Sequence, residues 1–271
     1  MIDCLFRRQS VADTAEGVFT ATDGTRSNWD PEIQHGSPPL ALLTKAIEEL
    51  SNDTAGAPLR IGRLTLDILG PIPVATVRVR ARVDRPGSRI SLMTAEMFAD
   101  PAHGPGRVVA RVTAWLLATS DTRDAATDRY PPLIEGQATR VAHAWEGSPG
   151  YLETVSWRRQ AEPASSAAEV WLSPLVPLVD SEPTTPLQRL AMVVDSANGL
   201  GAVLDPEHFV FMNTDTVVHL HRLPTGADFG LRAKASVGPD GIGVTTAEIF
   251  DRQGFIGTCA QTLLVQRRAS P

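Results

Sequence analysis

A chain of 271 residues that is 42% hydrophobic and 21% charged carries enough apolar material for a real core, in one large domain or two ordinary ones, which excludes wholesale disorder. Its formal net charge of −6 argues against a nucleic-acid partner, because phosphate-backbone binding depends on a basic excess. Cys4 and Cys259 form no disulfide framework, Asp3, Arg7 and Arg8 stand where a leader peptide would be apolar, and no run of roughly 18 apolar residues occurs. These features predict a cytoplasmic protein without a membrane span.

The first element legible along the chain is a helix opened by Ser37-Pro38-Pro39, a serine cap with prolines in the first turn, where a helix has no use for their missing N–H groups. Leu40, Ala41, Leu43, Ile47 and Leu50 give it an apolar stripe. An extended segment ends near Pro71, and residues 75–83 then alternate strictly. Val77, Val79, Ala81 and Val83 share one face and Arg78, Arg80 and Arg82 the other, as in a strand wet on one side. The turn Arg85-Pro86-Gly87-Ser88 leads to Thr-Ala-Glu-Met-Phe at 94–98, an acidic turn over 100–106 and a strand-like run over 107–117. Residues 120–150, rich in Asp, Thr, Pro and Gly, read as a connection.

A second helix starts around Thr184-Thr185-Pro186 and passes through Leu187, Leu190, Ala191, Val193, Val194, Ala197 and Leu200, stopping near Gly199 or Gly201. It is apolar on almost every side, as a helix enclosed by a sheet must be. Beyond Pro224, Phe229, Leu231, Ala233, Ala235 and Val237 alternate with Arg232, Lys234 and Ser236, and Gly238-Pro239-Asp240-Gly241 makes a turn. Thr-Ala-Glu-Ile-Phe at 246–250 then repeats the motif of 94–98, followed by a second acidic turn at 251–254 and a strand-like run over 255–265. One helix followed by antiparallel strands, twice over, predicts an α+β protein with an N-terminal repeat over 1–125, a linker over 126–150 and a C-terminal repeat over 151–271. Neither half holds a GxGxxG or P-loop signature, so a nucleotide fold has no support.

Residues 29–43 read WDPEIQHGSPPLALL, and the second half carries Val194-Asp195-Ser196, Asn213-Thr214-Asp215-Thr216 leading to His221-Arg222, and Ala260-Gln261-Thr262. In this order the stretches resemble TesB-like acyl-CoA thioesterases (acyl-CoA thioesterase II), which often read HGGPP in the first of them, and the likeness spans nearly the whole chain. The resemblance implies a double hotdog, in which each of two fused repeats wraps a curved antiparallel sheet around a central helix. It further implies hydrolysis of acyl-CoA without a covalent intermediate, through a water positioned by an Asp, a Thr and a Gln. By position these fall on Asp195, Asn213 and Gln261; Asn213 departs from the family's Thr, and Thr214 and Thr216 lie nearby. An acyl-CoA substrate, no cofactor and a homo-oligomer, dimeric or larger, follow from the same likeness.

The residues also read on physical grounds. Asp195 is a carboxylate in the middle of an apolar helix, where an unpartnered charge is costly; it serves either as a general base or water orienter, or as a structural group capping a loop or pairing with an arginine. Gln261 interrupts the apolar face of a strand, as an active-site amide or an ordinary core amide, and Asn213 faces the same alternative. Counted from Gly106 and Gly254, the first-repeat counterpart of Gln261 is Thr113, so only the second half carries the full set. His35, ahead of a helix N-terminus, reads first as a residue fixing a tight turn and second as a helper of a site. The stripe Arg78, Arg80 and Arg82, with Arg85 and Arg89, reads first as a strand's wet face and second as a receiver of coenzyme A phosphates. The six histidines show no HExxH spacing, so no metal is expected. Two rival readings stay open: a hotdog enoyl-CoA hydratase using the region of Asn28-Trp29-Asp30-Pro31 with His35, and a non-catalytic acyl-CoA-binding or sensing module suggested by Asn213.

Overall fold

A computed structural model describes residues 2–10, 16–53, 59–99, 106–135, 138–139, 149–160 and 167–268. In chain order, β1 (Phe6–Ser10) and β2 (Glu16–Ala21) precede α1 (Ser37–Asp53), and β3 (Leu59–Ile68), β4 (Thr76–Arg85), β5 (Ile90–Ala99) and β6 (Arg107–Ala118) follow it. After the connection come β7 (Ala138–Thr139), β8 (Val155–Gln160) and β9 (Ala168–Pro174), then α2 (Pro186–Val194) and α3 (Ala197–Gly201). The strands β10 (Phe209–Asn213), β11 (Asp215–Leu220), β12 (Phe229–Val237), β13 (Ile242–Asp251) and β14 (Gly254–Arg267) complete the chain.

The strands form one sheet in the order β1-β2-β4-β5-β6-β3-β11-β14-β13-β12-β9-β8-β7, with β10 also paired to β14, and every named pair is antiparallel. Outward from the centre the order is β3-β6-β5-β4-β2-β1 on one side and β11-β14-β13-β12-β9-β8 on the other. One topology is therefore used twice, and the recurring pentapeptide occupies the matching strands β5 and β13. The two copies are stitched where β3 and β11 pair, Arg63 opposite His219 and Asp67 opposite Asp215.

Alternation places the strands as expected. Val77 and Val79 of β4 are buried, while Arg78 and Arg80 reach Glu16, and Arg82 bridges Asp84 and Glu96 at 2.8 Å each. The stripe is thus a wet face tied to neighbouring carboxylates. The central helices α1 and α2 lie against each other within the sheet's embrace, and one apolar cluster runs through both copies, including Leu40, Leu43 and Ile47 of α1 with Leu190, Val193 and Val194 of α2. Thr185 caps α2, accepting from Gln188 N–H at 3.1 Å while Gln188 Oε1 accepts from Thr185 N–H at 3.3 Å, and Pro186 fills the first turn.

The structure corrects three expectations. Each copy opens with two strands before its helix; β1 and β8 carry Arg7, Arg8, Trp157, Arg158 and Arg159, a composition without clear alternation. The second helix is not continuous: it breaks at Asp195 and Ser196, where both side chains are drawn sideways into hydrogen bonds, and resumes as α3 with Leu200 N–H on Ser196 O at 3.0 Å. By cross-strand register, Thr94 opposes Thr113 as Thr246 opposes Ala260, so the counterpart of Gln261 is Ala114 rather than Thr113. The acidic turn predicted over 100–106 lies outside the described residues except for Gly106, as does part of the predicted connection.

The His221-Arg222 pair at the end of β11 has a structural task. Arg222 forks onto the Asp251 carboxylate and bonds Gly254 O at 3.1 Å, while Thr225 N–H and Gln253 N–H add 2.9 and 2.8 Å bonds to Asp251. Burial pushes the Asp251 carboxyl up, but the Arg222 and backbone hydrogen bonds outweigh it and hold the group below its ordinary range. The stability it contributes is present above the ordinary carboxylate range and is lost as pH falls through that range and below. Arg222→Ala removes the charge partner of a carboxylate whose side chain is 0% exposed, leaving it only the Thr225 and Gln253 bonds, and is expected to cost about 3 kcal/mol; urea unfolding at pH 7 checks this, and an unchanged midpoint would refute it.

Candidate active site

The break between α2 and α3 turns the Asp195 carboxylate toward β11 and β14. Its Oδ1 accepts from three side chains: Thr216 Oγ1, Asn213 Nδ2 at 2.8 Å and Gln261 Nε2 at 3.2 Å. Gln261 Nε2 also reaches Thr216 Oγ1 and the Asp195 carbonyl oxygen, each at 2.9 Å, and Asn213 Nδ2 reaches Thr216 Oγ1 at 3.2 Å. Asp195, Thr216 and Gln261 are all at most 3% exposed, and a buried charge needs such a set of donors to be tolerated.

Strand geometry explains how Asn213 and Thr216, three residues apart, both face this carboxylate. In an uninterrupted strand an odd spacing puts side chains on opposite faces. Here the pairing with β14 shifts by one residue between β10, where Asn213 opposes Leu263, and β11, where Val217 opposes Ala260. Thr214, between the two strands, bonds its N–H to Thr262 O at 3.0 Å and absorbs the extra residue.

The other carboxylate oxygen, Oδ2, lies against the start of α1. A Cβ on Gly36 would come within 2.3 Å of Oδ2, so only glycine fits there, and His35 Nδ1 stands 3.7 Å from the same oxygen. His35 Nδ1 accepts Ser37 N–H at 3.1 Å, and its ring stacks on Tyr151 with centroids 3.9 Å apart. The Tyr151 hydroxyl donates to Met192 O at 2.8 Å and lies 3.1 Å from Ser37 Oγ and 2.9 Å from Ser196 Oγ. Burial drives the His35 imidazole below its ordinary range against the pull of Asp195, and drives the Tyr151 phenol far above its own. Asp195, Asn213, His35 and Gly36 open onto a cavity of about 460 Å³, whose wall is mostly apolar and includes Trp29, Ile33, Ile72, Trp157, Leu200 and Met212.

Residues 25–117 match the acyl-CoA thioesterase N-terminal domain and residues 127–265 the acyl-CoA thioesterase C-terminal domain. The chain belongs to the acyl-CoA thioesterase family. A search of curated proteins finds no match to the thioesterase. Among solved structures it is similar to a conserved protein of unknown function with a hot dog fold from Alicyclobacillus acidocaldarius, with a TM-score of 0.70 and 16% identity over 96% of each chain. It is also similar to the acyl-CoA thioesterase II TesB2 of Mycobacterium marinum, with a TM-score of 0.60 and 12% identity over 97% of this chain and 96% of that one. At such identities the likeness carries the fold, that of hotdog proteins.

The thioesterase brings together the three residues singled out from its sequence, Asp195, Asn213 and Gln261, around one carboxylate oxygen. Sequence reasoning noted Thr216 only as a neighbour of Asn213 and did not place it in the set; the one-residue shift in pairing that turns it toward Asp195 leaves no mark in the sequence. Arg78, Arg80, Arg82, Arg85 and Arg89 do not line the cavity. Asp30, the acid of the hydratase reading, is exposed and accepts Glu32 N–H at 2.9 Å, so it caps a turn away from the cavity. In the first copy the places of Thr216 and Gln261 fall to Leu64 and Ala114, both buried and apolar, so that copy holds no counterpart of this donor set. Neither cysteine can serve as nucleophile: burial pushes the Cys4 thiol to about 11 and the Cys259 thiol well above its ordinary range. Among the described residues no group of histidine, cysteine and carboxylate side chains is arranged to hold a metal, and no helix is long and apolar enough to cross a membrane.

Proposed function

We propose that this thioesterase hydrolyses acyl-CoA to a carboxylic acid and coenzyme A through a water held and deprotonated by Asp195. The observation that carries this reading is the division of labour on the carboxylate: Thr216, Asn213 and Gln261 converge on Oδ1, leaving Oδ2 toward the start of α1 and the cavity. Fixing one oxygen aims the other, and a fixed base is the form in which a carboxylate gives general base catalysis. Water adds to the thioester carbonyl as its proton passes to Oδ2. The tetrahedral intermediate then collapses, the C–S bond breaks, and the proton on Asp195 passes to the departing thiolate.

The oxyanion requires a donor. Pro38 and Pro39 have none and Ser37 N–H is spent on His35, so Gly36 N–H at the amino end of α1 is the backbone donor left for it. In this reading the chain is a double hotdog whose copies span 1–125 and 151–271, joined by 126–150, and it works in the cytoplasm as a homo-oligomer.

The test is coenzyme A release from a panel of acyl-CoAs, read with a thiol-reactive dye that the two buried, protonated cysteines do not reach. Thr216→Val, which keeps the shape and removes one bond to the charge, is expected to lower kcat about tenfold to hundredfold. Saturable acyl-CoA binding by wild type with no thiol release at any chain length would replace this reading with that of a binding module.

A further inference from the structure

We infer that His35 acts in the reaction itself, as a neutral imidazole whose Nε2–H donates a hydrogen bond to the thioester carbonyl oxygen as negative charge develops on it; this rests on the hydrolytic reading above. The tautomer follows from the structure. Ser37 N–H points at His35 Nδ1 at 3.1 Å, so Nδ1 must present its lone pair and the ring proton belongs on Nε2. Nδ1 also lies 3.7 Å from Asp195 Oδ2, and two acceptors facing each other make no hydrogen bond. The proximity of Asp195 is therefore not an acid–base pairing of the kind that turns a histidine into a general base.

What remains is the other edge of the ring. Nε2 has no hydrogen-bond partner among the described residues, yet it is not one of the polar atoms buried without a partner, and the ring lines the cavity. The stack on Tyr151 fixes the ring plane and the Ser37 bond fixes its rotation. The groups facing the ring are Asp195 from the helix break and the Tyr151 phenol, and burial keeps the imidazole uncharged despite the carboxylate. A neutral, oriented donor beside Gly36 N–H gives the oxyanion a second partner without placing a full charge against Asp195, whose basicity the first step needs. Neutral imidazole is a sound electrophile in this role when its surroundings suppress protonation. The fixed Gly-Ser-Pro-Pro turn and the donor are then two uses of one side chain.

The experiment compares steady-state thiol release by wild type, His35→Phe and His35→Gln. Phe keeps the stack on Tyr151 but has no donor; kcat is expected to fall about tenfold to hundredfold with KM within about threefold of wild type. Gln restores an N–H at similar reach and is expected to recover part of kcat, which repair of packing alone does not predict. A folded Phe variant with wild-type kcat, or a Gln variant no better than Phe, overturns the inference. Nitrogen-15 spectra of histidine-labelled wild type decide the point even if the variants do not fold: the proton is expected on Nε2 at neutral pH, and a proton on Nδ1 refutes it. Failure of wild type to release thiol would instead strike the hydrolytic reading, and is separately visible.

Discussion

Asp195→Asn is expected to lower kcat for acyl-CoA hydrolysis by about three orders of magnitude in a protein that still folds. The amide has the shape of the carboxylate, and its oxygen can accept the same three bonds from Thr216, Asn213 and Gln261 that Oδ1 accepts. The NH₂ group then stands where Oδ2 stood, against Gly36, and cannot take a proton from water. Binding should survive, because the apolar wall of the cavity is untouched, so KM is expected to move far less than kcat. Thermal unfolding near the wild-type midpoint together with the lost rate would assign the defect to chemistry; a variant with more than a tenth of wild-type kcat would remove Asp195 from the role of base.

Gly36→Ala is expected to cost about a hundredfold in kcat although it adds one methyl group. Its Cβ would come within 2.3 Å of Asp195 Oδ2 and 2.8 Å of Cγ, well inside contact distance. The carboxylate cannot simply swing away, because three donors hold its other oxygen. Either the carboxylate rotates off those donors or the start of α1 retreats, and both displace the proposed base relative to the substrate. Since the damage acts through Asp195, it should be strongly non-additive: in an Asp195→Asn background the same change should lower the residual rate little. Wild-type kinetics in Gly36→Ala, or full additivity in the double variant, would show that this contact does not set the geometry of the site.

Much of this was legible in the sequence for reasons of periodicity. The alternation of residues 75–83 and 229–237, the capped helix start at Thr185 and the recurring pentapeptide all report local geometry, and the matching strands β4, β12, β5 and β13 follow from them. Asp195 and Gln261 stood out because each is a polar group in an apolar setting. Thr216 did not, because strict alternation assigns it to the face opposite Asn213, and a one-residue shift in pairing is invisible in a pattern of hydrophobicity. The break at Asp195 was hidden for a related reason: the apolar positions on either side continue as if the helix did. Hardest to read was the meeting of Gly36 and His35 with Asp195. That contact joins the two copies across the core, and nothing local to either stretch encodes it. For His35 the structural reading holds, since the imidazole braces the turn through Ser37.

The stitch between β3 and β11 has a consequence for biosynthesis. In the finished sheet β3 is an interior strand, flanked by β6 and β11. On the ribosome its first neighbour arrives soon after it, but the second is encoded in the distant half of the chain, and at ordinary elongation speeds the wait is on the order of 10 s. Throughout that interval the nascent chain displays an open row of backbone donors and acceptors that any passing strand can join. Chaperone demand should therefore peak midway through synthesis, and a ribosome stalled in the second half would release a sticky, half-built sheet.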